Sequence, residues 1–225
     1  MQQHDWKDLF GEEEELDVVT FPDIPGLKLV RKALSHEQQM TMVHDIIKNG
    51  YFSGSENINQ AMCFGKLPSF INPVEEVIHK SYSDLFPQEI INREPIFDQA
   101  ILNLYQKGEG IVSHVDLLRF EDGILIVSLL SSCVMTMRTA KDTTTSYSKD
   151  STHDDNLHHD ILLRPGDILA LSEDARYNWE HGIKERLVDE IDGEYIERGT
   201  RISVTLRKLK GEHGQNQSTV TTATR

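Results

Sequence analysis

The sequence predicts an α+β chain that is mainly β: a sandwich or closed barrel of short strands, buttressed by two helices that precede it. Two observations carry this. Leu34 to Gly50 has the punctuation of a helix, with Ser35 and Gln38 spaced as a capping box, Met40, Val43, Ile46 and Ile47 as an apolar stripe, and Gly50 at the exit. From residue 97 onward the texture changes to short runs, alternating or wholly apolar, at regular spacing. There is no internal repeat.

Residues 1–20 are acidic and read as a mobile arm. Phe21 to Lys32, with two prolines and a glycine, reads as a turn entering a short strand. A second helix is expected from Asn72-Pro73, with Glu75 in its first turn, to a stop before Pro87. Between the helices, Tyr51, Phe52, Phe64 and Phe70 are interleaved with Gly, Asn and Ser. Those rings are either core or a lid that stacks on a substrate ring. Next, FDQAILNLY alternates, GILIVSLL and CVMTMR form an apolar pair, and DILLRPGDILALS is two apolar runs joined through a Pro-Gly turn. RYNWEHGI and RISVTLRKL follow. Residues 139–160 read as a long polar insertion in a hairpin, and 210–225 as a disordered tail. The expected organisation is one domain, 21–209, with a helical and lid part over 21–96 and the strands over 97–209.

Composition narrows the function. A chain of 225 residues is long enough to bury a real core. Its formal charge is −14, whereas binding through phosphates needs Lys and Arg concentrated somewhere. The concentrations present are small: Lys28, Arg31 and Lys32; Lys184 and Arg186; Arg207, Lys208 and Lys210. General duplex binding is not expected, while a local basic rim for a short strand fits. No run of about 18 apolar residues exists, so no membrane span is expected. The start, MQQHDWKDLFGEEEE, is unlike a secretory or mitochondrial presequence. Cys63 and Cys133 stand far apart in apolar segments, which suits reduced thiols in the cytoplasm or nucleus.

The candidate chemistry lies in Gln99 to Asp116. His114 and Asp116, spaced i, i+2, can leave a strand on one face and converge. A neutral imidazole beside a carboxylate suits a metal of the non-haem Fe(II) type. His153/Asp155 and His158/Asp160 share this spacing but lie in a polar run that reads as a loop, so only the first pair has a rigid scaffold. On the last strand Arg201, Ser203, Thr205 and Arg207 share one face, and Ile202, Val204 and Leu206 the other. An edge strand with a wet side would alternate the same way. Two arginines on one face can instead grip a dicarboxylate through paired hydrogen bonds. His181 lies between the two motifs.

In that order, His114, Asp116, His181 and Arg201 resemble the Fe(II)/2-oxoglutarate-dependent dioxygenases, and more closely their AlkB-like branch. The further marks are Asn103 and Tyr105 before the first histidine, the RYNWEHGI block, the R-x-S-x-T-x-R strand and, more weakly, NQAMCFGKLP. The resemblance covers about residues 51–209 and implies a double-stranded β-helix, or jelly-roll, core. It implies that His114, Asp116 and His181 hold Fe(II), and that Arg201 pairs with the distal carboxylate of 2-oxoglutarate. Arg207 would lie near the inner carboxylate and the substrate opening, and Asn103 and Tyr105 would hydrogen-bond the cosubstrate. Ser203 stands where some relatives carry Asn, a shorter donor at a cosubstrate position. The implied reaction consumes O2 and 2-oxoglutarate, releases succinate and CO2, and hydroxylates or demethylates a bound substrate. Alkylated DNA or RNA is the family's substrate class. A methylated or basic protein such as a histone, and an inactive jelly-roll binding module, are the alternatives.

Overall fold

The computed structural model describes residues 18–53, 58–81, 84–140, 158–211 and 220–223. The first helix, α1 (His36–Lys48), starts where the capping box places it: Ser35 Oγ accepts from the Gln38 N–H, and Gln38 Oε1 from the Ser35 N–H. Gly50, in the left-handed region at φ +72°, ends it. The buried stripe is Met42, Val43 and Ile46, while Met40 and Ile47 are 46% and 63% exposed, which corrects the expected stripe. They lie roughly a quarter-turn round the helix from the buried face, so a spacing of three or four residues does not by itself put them inside. A short 3₁₀ turn, Ser69–Ile71, runs into α2 (Asn72–Ser81). The second helix thus stops earlier than expected, and a separate turn, α3 (Gln88–Ile91), starts after Pro87.

Two sheets face each other. Strands β1 (Val18–Thr20), β2 (Leu27–Val30), β3 (Gln60–Phe64) and β4 (Gln99–Tyr105) belong to the larger one. With β6 (Ile124–Leu129), β9 (Ile168–Leu171), β13 (Arg201–Arg207) and β14 (Val220–Ala223) it has the order β1-β2-β9-β6-β13-β4-β3-β14. The smaller sheet contains β5 (Ile111–His114), β7 (Cys133–Thr139), β8 (His158–Leu163) and β10 (Trp179–Ile183), in the order β5-β10-β7-β8. A short helix, α4 (Glu173–Tyr177), leads into β10, and a ribbon of β11 (Val188–Ile191) and β12 (Glu194–Glu197) precedes β13. The apolar runs at 124–129 and 133–139 go to opposite sheets, and the Pro-Gly turn likewise carries the chain from β8 across to β9. This crossing between layers, with every pairing antiparallel, is the jelly-roll expected from the resemblance.

The larger sheet has two dry faces. Its outer face packs on the helices, where Leu125, Val127, Leu129, Ile202, Val204 and Leu206 meet Met42, Ile46, Ile71 and Ile78. Its inner face meets the smaller sheet through Ile124, Ile126, Leu169 and Leu171 against Met135, Met137, Ile161 and Trp179. Burial of this kind is worth about 1.5–3 kcal/mol per large side chain and holds the sheets at a fixed separation. Tyr51 and Phe70 join the outer core in an edge-to-face pair at 5.7 Å, so these two rings are core and not lid.

Four expectations need correction. Val18–Thr20, expected in the mobile arm, pairs with Lys28–Val30; residues 1–17 lie outside the described residues. Strands β2 and β3, expected within a helical and lid part, are members of the larger sheet. Val220–Ala223, expected in a disordered tail, pairs with Gln60–Cys63 and covers the edge that β3 would otherwise expose. His158, His159 and Asp160, expected in a loop, are strand residues opposite Arg138, Met137 and Thr136. Their polarity hid the strand, yet Asp160 accepts from Thr136 Oγ1 at 2.5 Å and His159 packs 5.9 Å from Trp179. His153 and Asp155 lie outside the described residues.

Candidate metal centre

Strand β5 stops at His114, directly opposite His181 in the middle of β10. Gly182 permits this pairing, because a Cβ there would lie 2.6 Å from Ser113 Oγ and 2.8 Å from its backbone. A register shift between His181 and Ile183 marks a bulge beside the histidine, a device that re-aims side chains at sites. Asp116 follows just past the strand end. One donor atom from each of His114, Asp116 and His181 lies within 4.8 Å of the others, and His181 Nε2 is 3.6 Å from Asp116 Oδ2. Ligands of one ion with bonds near 2 Å stand about 3 to 4 Å apart, so the group is spaced to share an ion.

The protonation states agree. His114 Nδ1 is 2.9 Å from the carbonyl of Val112, which can only accept, so Nδ1 carries the proton and Nε2 the lone pair. Burial pushes the His181 imidazole down to about 4, more than the Asp116 carboxylate raises it, so it is neutral at physiological pH. Burial works against the charged form of Asp116, but the charge and hydrogen bond of Arg207 outweigh it and hold the carboxyl below its usual range. Arg207 Nη1 donates to Asp116 Oδ1, its Nε donates to Gln99 Oε1 at 2.7 Å, and its guanidinium lies 3.9 Å over the Phe120 ring. Asp116 Oδ2 is left buried and without a hydrogen-bond partner beside the histidines. Two imidazoles and a carboxylate with an orphaned buried oxygen fit a ferrous ion.

All eight residues singled out in the sequence line one cavity of about 110 Å³: Asn103, Tyr105, His114, Asp116, His181, Arg201, Ser203 and Arg207. Strand β13 is central, between β6 and β4, so its polar face looks into the interior and not into solvent. Arg201 stacks over Tyr105 at 5.3 Å and donates Nε to Ser128 Oγ at 3.0 Å. Its Nη1 and Nη2 are buried and have no hydrogen-bond partner among the described residues. An uncompensated pair of buried guanidinium donors is costly, and a carboxylate is the group that satisfies both at once. The cavity therefore also fits a dicarboxylate.

Sequence reasoning assigned no role to Gln60, Ser128, Gln99 and Arg176, although Gln60 and Arg176 stand in the NQAMCFGKLP and RYNWEHGI blocks. Gln60, Asn103, Ser203 and Ser128 occupy one row across four adjacent strands. Gln60 Nε2 donates to Asn103 Oδ1 at 2.8 Å, which leaves the Asn103 amide nitrogen as the donor toward the cavity. The signal was present in each case as a lone polar residue within an apolar strand, but it becomes meaningful only once register is known. Arg176, buried on α4, was marked only by its place in the RYNWEHGI block.

A His-Asp-His group with two members buried, beside a buried arginine inside a jelly-roll, defines a mononuclear iron oxygenase that takes a keto-acid cosubstrate. The chain belongs to the 2OG-Fe(II) oxygenase superfamily, whose model matches residues 17–207. That family uses Fe(II), 2-oxoglutarate and O2. The chain is 34% identical over 165 residues to the "Alkylated DNA repair protein ALKBH8 homolog" of Arabidopsis thaliana, covering 70% of this chain and 46% of the relative. It is 24% identical over 220 residues to the mouse "tRNA (carboxymethyluridine(34)-5-O)-methyltransferase ALKBH8", covering 83% of this chain and 31% of the relative. The chain thus spans about half the length of the first relative and a third of the second. The solved structure of OsALKBH1 superposes with a TM-score of 0.57 at 16% identity, covering 85% of this chain and all of that one, which supports the fold. The AlkB-like resemblance of the motifs is borne out by these relatives.

Proposed function

We propose that the chain is an active Fe(II)- and 2-oxoglutarate-dependent dioxygenase that oxidatively demethylates alkylated nucleic acid. The observation that carries the catalytic reading is Arg201, buried in the cavity of the histidine–carboxylate group with both terminal nitrogens unpaired. In this reading His114 Nε2, His181 and Asp116 Oδ2 would hold the ion. Iron with 2-oxoglutarate and O2 supplies the oxidation. The chain does the rest. Arg201 grips the distal carboxylate, the Asn103 amide and the Ser203 hydroxyl offer donors along the cosubstrate, and the Tyr105 ring sets the guanidinium plane. Arg207 pins Asp116 Oδ1, so that Oδ2 is the oxygen that faces the ion. Apolar Ile101, Ile126 and Met135 keep the cavity dry.

For an N-methyl substrate the balance is one O2 and one 2-oxoglutarate consumed, with succinate, CO2, formaldehyde and the free amine released. The names of the relatives, alkylated-DNA repair and tRNA modification, support nucleic acid as the substrate class. The charge of −14 favours a basic protein such as a histone as the second reading. Two free, buried thiols suit the cytoplasm or nucleus. Succinate release with methylated single-stranded oligonucleotides and methylated histone peptides, side by side, tests the proposal. Stimulation by oligonucleotides alone is expected; stimulation by peptides alone would reassign the substrate, and no ferrous-dependent turnover at all would favour a binding module.

A further inference from the structure

Immediately after Asp116 the chain does something unusual for a loop: it holds two large apolar side chains rigidly in water. Leu117 and Leu118 are 58% and 69% exposed. The backbone beneath them is clamped from two sides. From α4, Arg176, only 1% exposed, donates Nη1 to the carbonyl of Asp116 at 3.0 Å, and Nη2 to those of Leu117 and Phe120 at 2.8 and 3.3 Å. From the segment after β13, the Lys210 N–H donates to the Arg119 carbonyl at 3.0 Å, and the Glu121 N–H donates to the Lys208 carbonyl at 2.8 Å, around a bridge between Phe120 and Leu209. Phe120 itself is fully buried. A buried guanidinium with three carbonyl partners fixes a shape, and the fixed shape presents leucine to solvent.

The charge at this edge runs against the rest of the molecule. Arg119 and Lys210 are both exposed, and the hydrogen bond between their backbones makes them neighbours. Asp122, close in sequence, is engaged by the N–H groups of Glu173 and Gly123, and Lys208 is paired with Asp98 at 3.0 Å. With Glu121 half-buried at the same edge, an otherwise acidic chain therefore carries, next to its cavity, two exposed cations beside two exposed leucines. Apolar faces beside anions at regular spacing describe a single-stranded polynucleotide, whose bases present flat apolar faces and whose phosphates present charge. A basic peptide matches the leucines but is repelled by the cations.

We propose that this tip, Leu117-Leu118-Arg119 together with Lys210, is the rest on which the strand flanking the reacting nucleotide lies. The proposal builds on the nucleic-acid reading above. It is tested by fluorescence anisotropy of the full chain with a fluorescein-labelled 12-nucleotide single-stranded RNA, and with DNA of the same sequence, over a range of salt. Arg119→Gln/Lys210→Gln should weaken binding at low salt at least fivefold and flatten the salt slope by about 1.4, two phosphate contacts at about 0.7 each. Leu117→Ser/Leu118→Ser should weaken binding about tenfold at unchanged slope, because it removes apolar contact only. The unfolding midpoint shows whether either variant has lost the tip's shape. If so, Lys210→Gln decides, since the latch uses only the backbone of residue 210; it should flatten the slope by about 0.7. Binding within twofold of wild type and an unchanged slope in the folded variants would overturn the tip and leave the nucleic-acid reading standing. A wild-type chain that binds neither oligonucleotide but does bind a methylated histone-tail peptide would overturn both.

Discussion

The two faces of β13 lie between the same neighbouring strands and are buried, Thr205 in part, and they do opposite work. Outward, Ile202, Val204 and Leu206 lock the sheet onto the helices. Inward, Arg201, Ser203, Thr205 and Arg207 line the cavity. The outer face is satisfied by the fold alone. The inner face is not: among the described residues, Arg201 Nη1 and Nη2 and, in the same cavity, Asp116 Oδ2 lack hydrogen-bond partners. Stability resides in the face whose contacts are complete, and function in the face whose contacts wait for a ligand. Period-two alternation separates the two cleanly along seven residues.

The comparison can be broken most severely at the metal. His114→Ala is expected to abolish ferrous-dependent 2-oxoglutarate turnover while leaving the unfolding midpoint nearly unchanged; retained succinate release would show that the wrong histidine–aspartate pair had been chosen. Next, the two arginines should fail differently. Arg201→Ala should raise KM for 2-oxoglutarate about 10- to 100-fold through loss of a charge-assisted pair, with metal affinity kept. Arg207→Ala should instead weaken metal binding, because it frees the Asp116 carboxylate; the same KM shift for both would erase the distinction. On the outer face, Leu206→Ala should cost about 2–5 kcal/mol of stability in denaturant unfolding with KM for 2-oxoglutarate within twofold of wild type. A large KM effect there would mean that the faces are not separable.

A smaller effect is expected away from both faces. Asp189 is buried, which raises its pKa, but hydrogen bonds from Arg198 and from the Val134 N–H outweigh burial and leave it below the usual value. The unfolded chain then binds the extra proton, so this contribution is present above about pH 4–5 and is lost on acidification below that. Asp189→Asn should flatten the dependence of unfolding free energy on pH between about 3 and 5. An unchanged slope would show that the pair contributes nothing through titration. Smallest of all, replacing His153, His158 and His159 together should leave turnover intact, although His159 is now placed against Trp179 and a modest loss of stability is expected.

Much of this was legible beforehand because it was periodic or spaced. The capping box at Ser35 and Gln38 and the alternation of β13 depend on short intervals along the chain, and the set of His114, Asp116, His181 and Arg201 on its order in the chain. What stayed hidden depends on register between distant strands. Gln60 meets Asn103 only because β3 pairs with β4, and Ser128 meets Arg201 only because β6 pairs with β13. Arg176 reaches the carbonyl of Asp116 across 60 residues of sequence. The strands at Val18–Thr20 and Val220–Ala223 were missed because they are short and held by a neighbour's edge, and His158–Asp160 because those residues are polar.

The most direct test is an anaerobic titration of the chain with ferrous iron and then 2-oxoglutarate, followed by the charge-transfer absorption that the bound pair produces. One iron per chain is expected, with absorption saturating at low 2-oxoglutarate in the wild type and needing about 10- to 100-fold more in Arg201→Ala. A wild-type chain that binds no ferrous ion, or an Arg201→Ala variant that titrates like it, would contradict the assignment.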